Sequence, residues 1–217
     1  MPERGLHIGF AGTDGAGKST QAGKLNRRFN KSGRMSYYFE GKEDFTVQMM
    51  RAVVAKHGQR SVRSYFGSAA VDFAWAFDTL RDHLHMVAPL KASGCVVVQS
   101  RSGYDRIALA RAFGDENVEQ IEEITLLAGG PDLTVFLDVP IDVAIERINR
   151  RALDSEDPDL LTRLRNELVT MAKRSPWLRV DGVGTPDEVH ERVWSAVSAW
   201  MEREQPELAV ISGTWRI

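Results

Sequence analysis

Along the chain, short apolar runs bounded by turn or polar residues alternate with stretches in which apolar residues recur every three or four positions. Five runs predict strands: Leu6 to Ala11, Met35 to Phe39, Cys95 to Gln99, Leu133 to Asp138 and Trp177 to Asp181. Most are continuous rather than alternating, the pattern of strands buried on both faces. Between them, Phe66, Ala70, Phe73, Phe77, Leu80, Leu84 and Val87 make one helical stripe. Shorter stripes run through Ala22, Leu25 and Phe29; Ala144, Ile145 and Ile148; Leu160, Leu161, Leu164, Leu168 and Met171; and Val189, Val193, Val197 and Trp200. Pro186, Asp187 and Glu188 suit the first turn of the last of these, where proline loses no needed bond and acids meet the helix dipole. Strands separated by helices imply parallel pairing with right-handed crossovers, so the fold class is three-layer α/β.

Composition narrows the class. The 217 residues are 43% hydrophobic and 27% charged, which suits one globular domain that buries about 70% of its unfolded surface. With 28 Lys and Arg against 30 Asp and Glu, the net charge of −2 gives no overall basic field for nucleic acid or an anionic membrane. The single cysteine, Cys95, lies inside an apolar run, which excludes an intrachain disulfide and a cysteine-based zinc site and marks it as core. Met1 to Gly12 lacks the basic and apolar regions of a secretory signal, and no stretch reaches the roughly 20 apolar residues that span a bilayer. A cytoplasmic protein is expected. No internal repeat or low-complexity linker appears, so residues 1–201 are expected as one domain and 202–217 as a tail that leaves the last helix.

Directly after the first run the chain reads Gly12-Thr13-Asp14-Gly15-Ala16-Gly17-Lys18-Ser19-Thr20, which satisfies the spacing G-x-x-x-x-G-K-[ST] between a strand and a helix. Glycines let backbone N–H groups curl round a polyphosphate, and the following helix offers its positive N-terminus. These nine residues, Asp14 apart, are expected to hold ATP. Lys18 would neutralise β- and γ-phosphate charge, and Ser19 would ligate Mg²⁺.

The segment Phe10 to Gln21, "FAGTDGAGKSTQ", resembles the phosphate loop of thymidylate kinases, which typically reads F-E-G-x-D-G-x-G-K-[ST]-T. Pro89 to Gly94 followed by a valine run and Ser100-Arg101 is similar to the family's P-A-L-x-x-G, strand, Asp-Arg arrangement. Pro131 to Val139 with the later Arg147, and Asp181-Gly182, resemble its fourth strand, the helix after that strand and the end of its fifth strand. The likeness runs from Leu6 to about Ala199. It implies the P-loop NTPase fold with a five-stranded parallel sheet, and ATP-dependent phosphoryl transfer to a nucleoside monophosphate, dTMP or a related pyrimidine nucleotide. It also implies a homodimer packed through long helices such as Phe66 to Leu84. On the resemblance Lys18, Asp14 and Arg101 are the catalytic set, with Arg51 and Arg101 on the acceptor phosphate and Asp14 on the acceptor sugar. A mobile lid over 147–159 would bring Arg147, Arg150 or Arg151 to ATP, because bidentate arginines suit phosphates and a closing lid excludes water.

The departures from the family pattern gather on the acceptor side. Ala11 stands at its loop Glu, Ser100 at the Asp of Asp-Arg, and Phe39 at the Arg of Thr-Arg-Glu-Pro, with Glu40 kept and Gly41 at the proline. Trp75 falls on the base-stacking Phe and Thr79 on the following Arg, with Arg81 two residues late. Glu40, Ser100, Phe73 and Trp75 are acceptor-side candidates, although helical spacing also explains Phe73 and Phe77 as core. Asp105 and Asp138 are candidate substitutes for the absent carboxylate, Asp138 the weaker because the matching family strand ends in Asp without a metal role. His83 and His85, two residues apart on a helix, share no face and suggest no metal site. Two lost cations and one lost anion predict that dTMP is a poor acceptor beside some other substrate, unless Arg81 or Lys42 compensates. A kinase of another small-molecule hydroxyl or phosphate, and an ATP-binding protein without turnover, are the competing readings.

Overall fold

The computed structural model describes residues 5–41, 45–59, 61–127, 129–151 and 156–204. Lys42, positions 152–155 of the expected lid and most of the expected tail, 205–217, lie outside the described residues. In chain order the first half comprises β1 (Leu6–Ala11), α1 (Lys18–Lys31), β2 (Ser36–Phe39), α2 (Phe45–Lys56), α3 (Val62–Phe66), α4 (Ser68–Asp82), a π-helical turn (His83–Val87), α5 (Ala88–Ala92) and β3 (Val96–Gln99). The second half comprises α6 (Gly103–Phe113), α7 (Val118–Leu126), β4 (Leu133–Asp138), α8 (Ile141–Arg151), α9 (Pro158–Arg174), β5 (Leu178–Asp181) and α10 (Pro186–Glu204).

The five strands pair in parallel in the order β2-β3-β1-β4-β5. The central strands β1, β3 and β4 are buried at every position, whereas the edges β2 and β5 carry exposed residues. Three strands begin one residue later than their apolar runs, leaving Met35, Cys95 and Trp177 as flanking residues. Alternation along the strands sorts the core into two layers. Leu6, Ile8, Phe10, Val135 and Leu137 meet Ala22, Leu25 and Phe29 of α1 and Val189, Val193 and Val197 of α10. On the other face Ala11 and Phe136 meet Ile107 and Ala108 of α6 and Leu168 and Met171 of α9.

The long stripe from Phe66 to Val87 is not one α-helix. Gly67, with φ +86°, separates α3 from α4, and the π turn separates α4 from α5. Pro89 follows that turn. It has no N–H to give to the carbonyl four residues earlier and its ring crowds that carbonyl, which favours the wider turn. Phe77, expected in the core, is 56% exposed, and Leu84 is 52% exposed. The face of α4 that is buried instead carries Val71, Asp72, Ala74, Ala76 and Asp78. At the C-terminal end α10 runs to Glu204, so 202–204 form its last turn rather than the start of an extended tail.

Candidate active site

The phosphate loop lies at the C-terminal end of central β1, where open parallel sheets place their ligand sites. Gly15 has φ +81°, and a Cβ there would stand 2.4 Å from the Ala144 carbonyl oxygen, so only glycine fits. Gly17, with φ +94°, is the N-cap of α1 and supplies no side-chain cap, so the first N–H groups of that helix are left to bind an anion. Lys18 is 6% exposed; its Nζ donates to the carbonyls of Gly12 (2.5 Å) and Thr13 (3.1 Å) and lies 3.6 Å from Asp105 Oδ2 and 3.9 Å from Asp14 Oδ1. Ser19 and Thr20 are exposed in the first turn of α1. Thr13, Asp14, Gly15, Gly17, Lys18, Ser19, Thr20, Arg101 and Arg151 together line a hollow of about 150 Å³. The donor set fits a Mg²⁺ polyphosphate: one exposed hydroxyl, nearby carboxylates and a basic wall leave most metal positions to phosphate oxygens and water.

A larger cavity, about 580 Å³, opens beside the loop between Gly15, Ala16 and Gly17 on one side and Gly182, Gly184 and Thr185 after β5 on the other. Arg147 ties the two walls together. Its Nη2 donates to the carbonyls of Gly182 (2.9 Å) and Gly184 (3.2 Å), and its Nη1 donates to that of Gly15 (3.4 Å). Thr185 and Glu188 form a reciprocal capping box that fixes the start of α10: the Thr185 N–H donates to Glu188 Oε2 (2.8 Å), and the Glu188 N–H donates to Thr185 Oγ1 (3.3 Å). Arg150 and Arg151 also line this cavity, although Arg150 is paired with Glu146 at 2.6 Å on an exposed helix surface. Length, burial and position suit the base and sugar of ATP.

On the opposite side of Lys18 a third cavity, about 330 Å³, takes Arg51 from α2, Arg63 from α3, Trp75 from α4, Arg101, Asp105, Arg106, Leu109 and Phe113, and the α9 leucines Leu160, Leu161 and Leu164. Arg101 Nη2 donates to Asp14 Oδ1 at 2.9 Å. Burial would raise the Asp14 carboxyl, but Lys18 and Arg101 hold it below its ordinary value. Asp105 Oδ1 accepts the Gly12 N–H at 3.1 Å, and burial raises its carboxyl above the usual range against the pull of Lys18. Its Oδ2 makes no hydrogen bond to a described residue. Arg106 stands 4.3 Å from the Trp75 ring centroid.

Several expected site residues are placed otherwise. Ser100 is fully buried; its Oγ donates to the Glu40 carbonyl at 2.9 Å and accepts from the Tyr38 hydroxyl at 3.4 Å, which ties β3 to the end of β2. Neither Ser100 nor Glu40 lines the third cavity; the Ser100 hydroxyl is taken up by the Glu40 main-chain carbonyl between two strands. Phe73 packs on Ala76, Ala110 and Ile121 rather than into the cavity, since α4 turns that side toward α6 and α7. Asp138 is ion-paired with Arg165 (2.8 Å) and Arg179 (2.5 Å), which occupies both of its carboxylate oxygens at the end of β4. Arg63, Arg106, Leu109 and Phe113 had no signal in the sequence, because only the packing of α3 and α6 against α4 brings them to one wall.

The thymidylate kinase family model matches residues 10–193. The chain is 32% identical to the thymidylate kinase of Akkermansia muciniphila over 205 residues, 90% of this chain and 92% of that protein. It is 28% identical to a probable thymidylate kinase of Thermococcus gammatolerans over 197 residues, 87% and 94% of the two chains. It is 26% identical to the thymidylate kinase of Kosmotoga olearia over 204 residues, 87% and 93%. The phosphate loop, the hollow and the cavity that share Lys18, and a match over residues 10–193 agree, and the chain belongs to the thymidylate kinase family.

Proposed function

We propose that this protein transfers the γ-phosphoryl group of ATP to the phosphate of dTMP or a closely related pyrimidine nucleotide. The observation that supports this reading is that the hollow at the phosphate loop and the cavity walled by four arginines and a tryptophan share Lys18, Asp14 and Arg101, while the larger cavity adjoins that hollow through Gly15, Gly17, Thr20 and Arg151. Two polyanions brought together repel, so cations have to offset that charge in the ground state and more strongly as it spreads over the transferring oxygens. Lys18 and Arg151 face the donor phosphates; Arg101 and Arg51 face the acceptor phosphate. Ser19 would hold Mg²⁺, which would supply charge neutralisation at the donor phosphates. Asp14 orients Arg101, and Asp105, 3.6 Å from Lys18, is the carboxylate that stands in for the aspartate absent at position 100.

The expectation that dTMP is a poor acceptor rested on cations absent at Phe39 and Thr79. Arg106 brings a cation to the same cavity from α6, and Arg63, paired with Asp72, adds N–H donors from α3, which weakens the electrostatic basis of that expectation. We also propose a homodimer. Phe45, Met49 and Val53 of α2 recur at four-residue steps and are 59%, 51% and 41% exposed, and Arg81 of α4 lies over Phe45 beside the exposed Phe77. No helix among the described residues is long and apolar enough to cross a membrane. We place the protein in the cytoplasm, where its substrates are and where the buried, unpaired Cys95 is compatible with reducing conditions.

An ADP-release assay with ATP·Mg²⁺ over a panel of nucleoside monophosphates, nucleosides and other small phosphates tests the reading. The expected result is turnover of dTMP with kcat/KM of about 10⁵ M⁻¹s⁻¹ or more. Turnover of a non-nucleotide alone would favour a different P-loop kinase, and ATP binding with no turnover would favour a nucleotide-binding protein without catalysis.

A further inference from the structure

We propose that Asp105 is a positioning residue for Lys18: it acts on neither substrate directly, and ties the phosphate loop and the Lys18 ammonium to helix α6, so that the ammonium is fixed between the donor and acceptor spaces. This rests on the reading of Lys18 as the cation at the transferring phosphoryl group. Connectivity is the first ground. Asp105 Oδ1 accepts the Gly12 N–H at 3.1 Å, the Gly12 carbonyl accepts from Lys18 Nζ at 2.5 Å, and Asp105 Oδ2 lies 3.6 Å from the same Nζ. Carboxylate, loop residue and ammonium therefore close one ring. Both backbone polar groups of Gly12 are used inside it, and a Cβ at Gly12 would stand 2.8 Å from the Leu137 carbonyl oxygen, so the loop also lies hard against β4.

Burial is the second ground. The Lys18 and Asp105 side chains are 6% and 13% exposed. Asp105 Oδ2 is buried and makes no hydrogen bond to a described residue, so what it offers Lys18 is charge. A carboxylate at this depth is costly unless it is compensated, and Lys18 compensates it most, ahead of the Gly12 N–H and Arg101. Asp14, the other carboxylate near Lys18, is 3.9 Å away and is paired with Arg101 at 2.9 Å. Position is the third ground. Asp105 stands in the first turn of α6, where the helix dipole favours an anion, and Arg106, Leu109 and Phe113 of the same helix line the acceptor-side cavity. One rigid element thus carries the anchor of Lys18 and a wall of the acceptor site. An ammonium fixed before charge develops needs no reorganisation at the moment of transfer.

The test is a double-mutant cycle of Asp105→Asn and Lys18→Ala on the full chain. Initial rates with ATP·Mg²⁺ and dTMP, calorimetry with a non-hydrolysable ATP analogue, and circular dichroism for folding are the readouts. Asp105→Asn keeps an acceptor for the Gly12 N–H and removes the charge. It should lower kcat about tenfold or more, within the roughly 10²-fold cost of misplacing a reacting group by about an ångström. The dTMP KM should hold, and analogue binding should hold or tighten, because an anion that competes for Lys18 is gone. In the Lys18→Ala background Asp105→Asn should cause no comparable further loss, since a residue that acts through another has nothing left to act on. Asp105→Glu, which keeps the charge and displaces it, carries the same cycle if the asparagine variant does not fold. An unchanged kcat, a loss by the same factor with and without Lys18, or weaker binding of both substrates in place of a kcat loss would overturn the proposal while leaving the kinase reading intact. A wild type that turns over no nucleoside monophosphate would remove that reading and the proposal with it.

Discussion

Arg101, just past the end of β3, donates Nη2 to Oδ1 of Asp14, in the loop after β1, at 2.9 Å. The ion pair crosses the C-terminal ends of two adjacent strands and separates the donor hollow from the acceptor cavity. Both residues line both spaces, and on the proposed function the pair lies where the two phosphates would meet. Arg101→Ala should therefore raise the dTMP KM or lower kcat while the ATP dissociation constant stays nearly unchanged. Titration of ATP and of dTMP separately into the variant checks this, and an equal loss for ATP would assign Arg101 to the donor.

Lys18 in this structure is bonded to the carbonyls of its own loop and flanked by Asp14 and Asp105. A polyphosphate would compete for the same ammonium, which is then in place as charge develops in transfer. Lys18→Ala should lower kcat by about 10²-fold or more, the usual loss on removing one preorganised electrostatic group. Turnover comparable to wild type would contradict the role.

Arg147 links the phosphate loop to the turn after β5 through three backbone carbonyls. Losing it leaves those acceptors without their donor and lets the walls of the larger cavity separate. Arg147→Ala is expected to raise the ATP KM about tenfold, in line with about 1.5–3 kcal/mol for a charged hydrogen-bonding group, with the dTMP KM little changed. Initial-rate kinetics at fixed dTMP reads the split.

Two buried groups pull the pH dependence of stability in opposite directions. Burial lowers His7 to about 4, so the folded chain binds fewer protons than the unfolded one between about pH 4 and 6.5, and acid destabilises it there. Burial and a hydrogen bond with Asp115 push Asp72 up to about 7, so the folded chain retains a proton that the unfolded chain has lost. That contribution is fully present below about pH 4 and disappears as pH rises through about 7. Asp72→Asn should therefore make the rise of Tm between pH 4 and 6.5 steeper than in wild type, and His7→Gln should flatten or reverse it. Thermal melts across this range are the measurement, and unchanged slopes would show that neither residue titrates as described.

The exposed apolar faces of α2 and α4 predict assembly. Light scattering at micromolar concentration should give the mass of two chains. Met49→Glu, in the middle of the α2 stripe, should give one chain with its helical content retained.

The apolar runs alone determined the five strands, their parallel pairing and the layered class, because a strand buried on both faces has to be a continuous run and strand–helix alternation has few connections open to it. Gly12 to Thr20 made the proposed nucleotide site legible, since the backbone shape that cradles phosphate needs glycines at fixed spacing and the residues are consecutive. The acceptor side was legible only where its residues sit next to strand ends, as Arg101 and Asp14 do. Phe73 and Phe77 show the limit: spacing marks a helix face as apolar but not which neighbour covers it, and Phe73 is packed while Phe77 faces outward. Ser100 follows the same logic, for its neighbour Glu40 is 60 positions away in the chain and only strand pairing brings them together. Arg63, Asp72, Arg106 and Phe113 come from three separate segments, and a cavity assembled by helix packing leaves no periodic or local trace in the sequence. The tertiary structure decided that Arg63 is paired with Asp72 and lies near Asp115, because those carboxylates come from other segments of the chain.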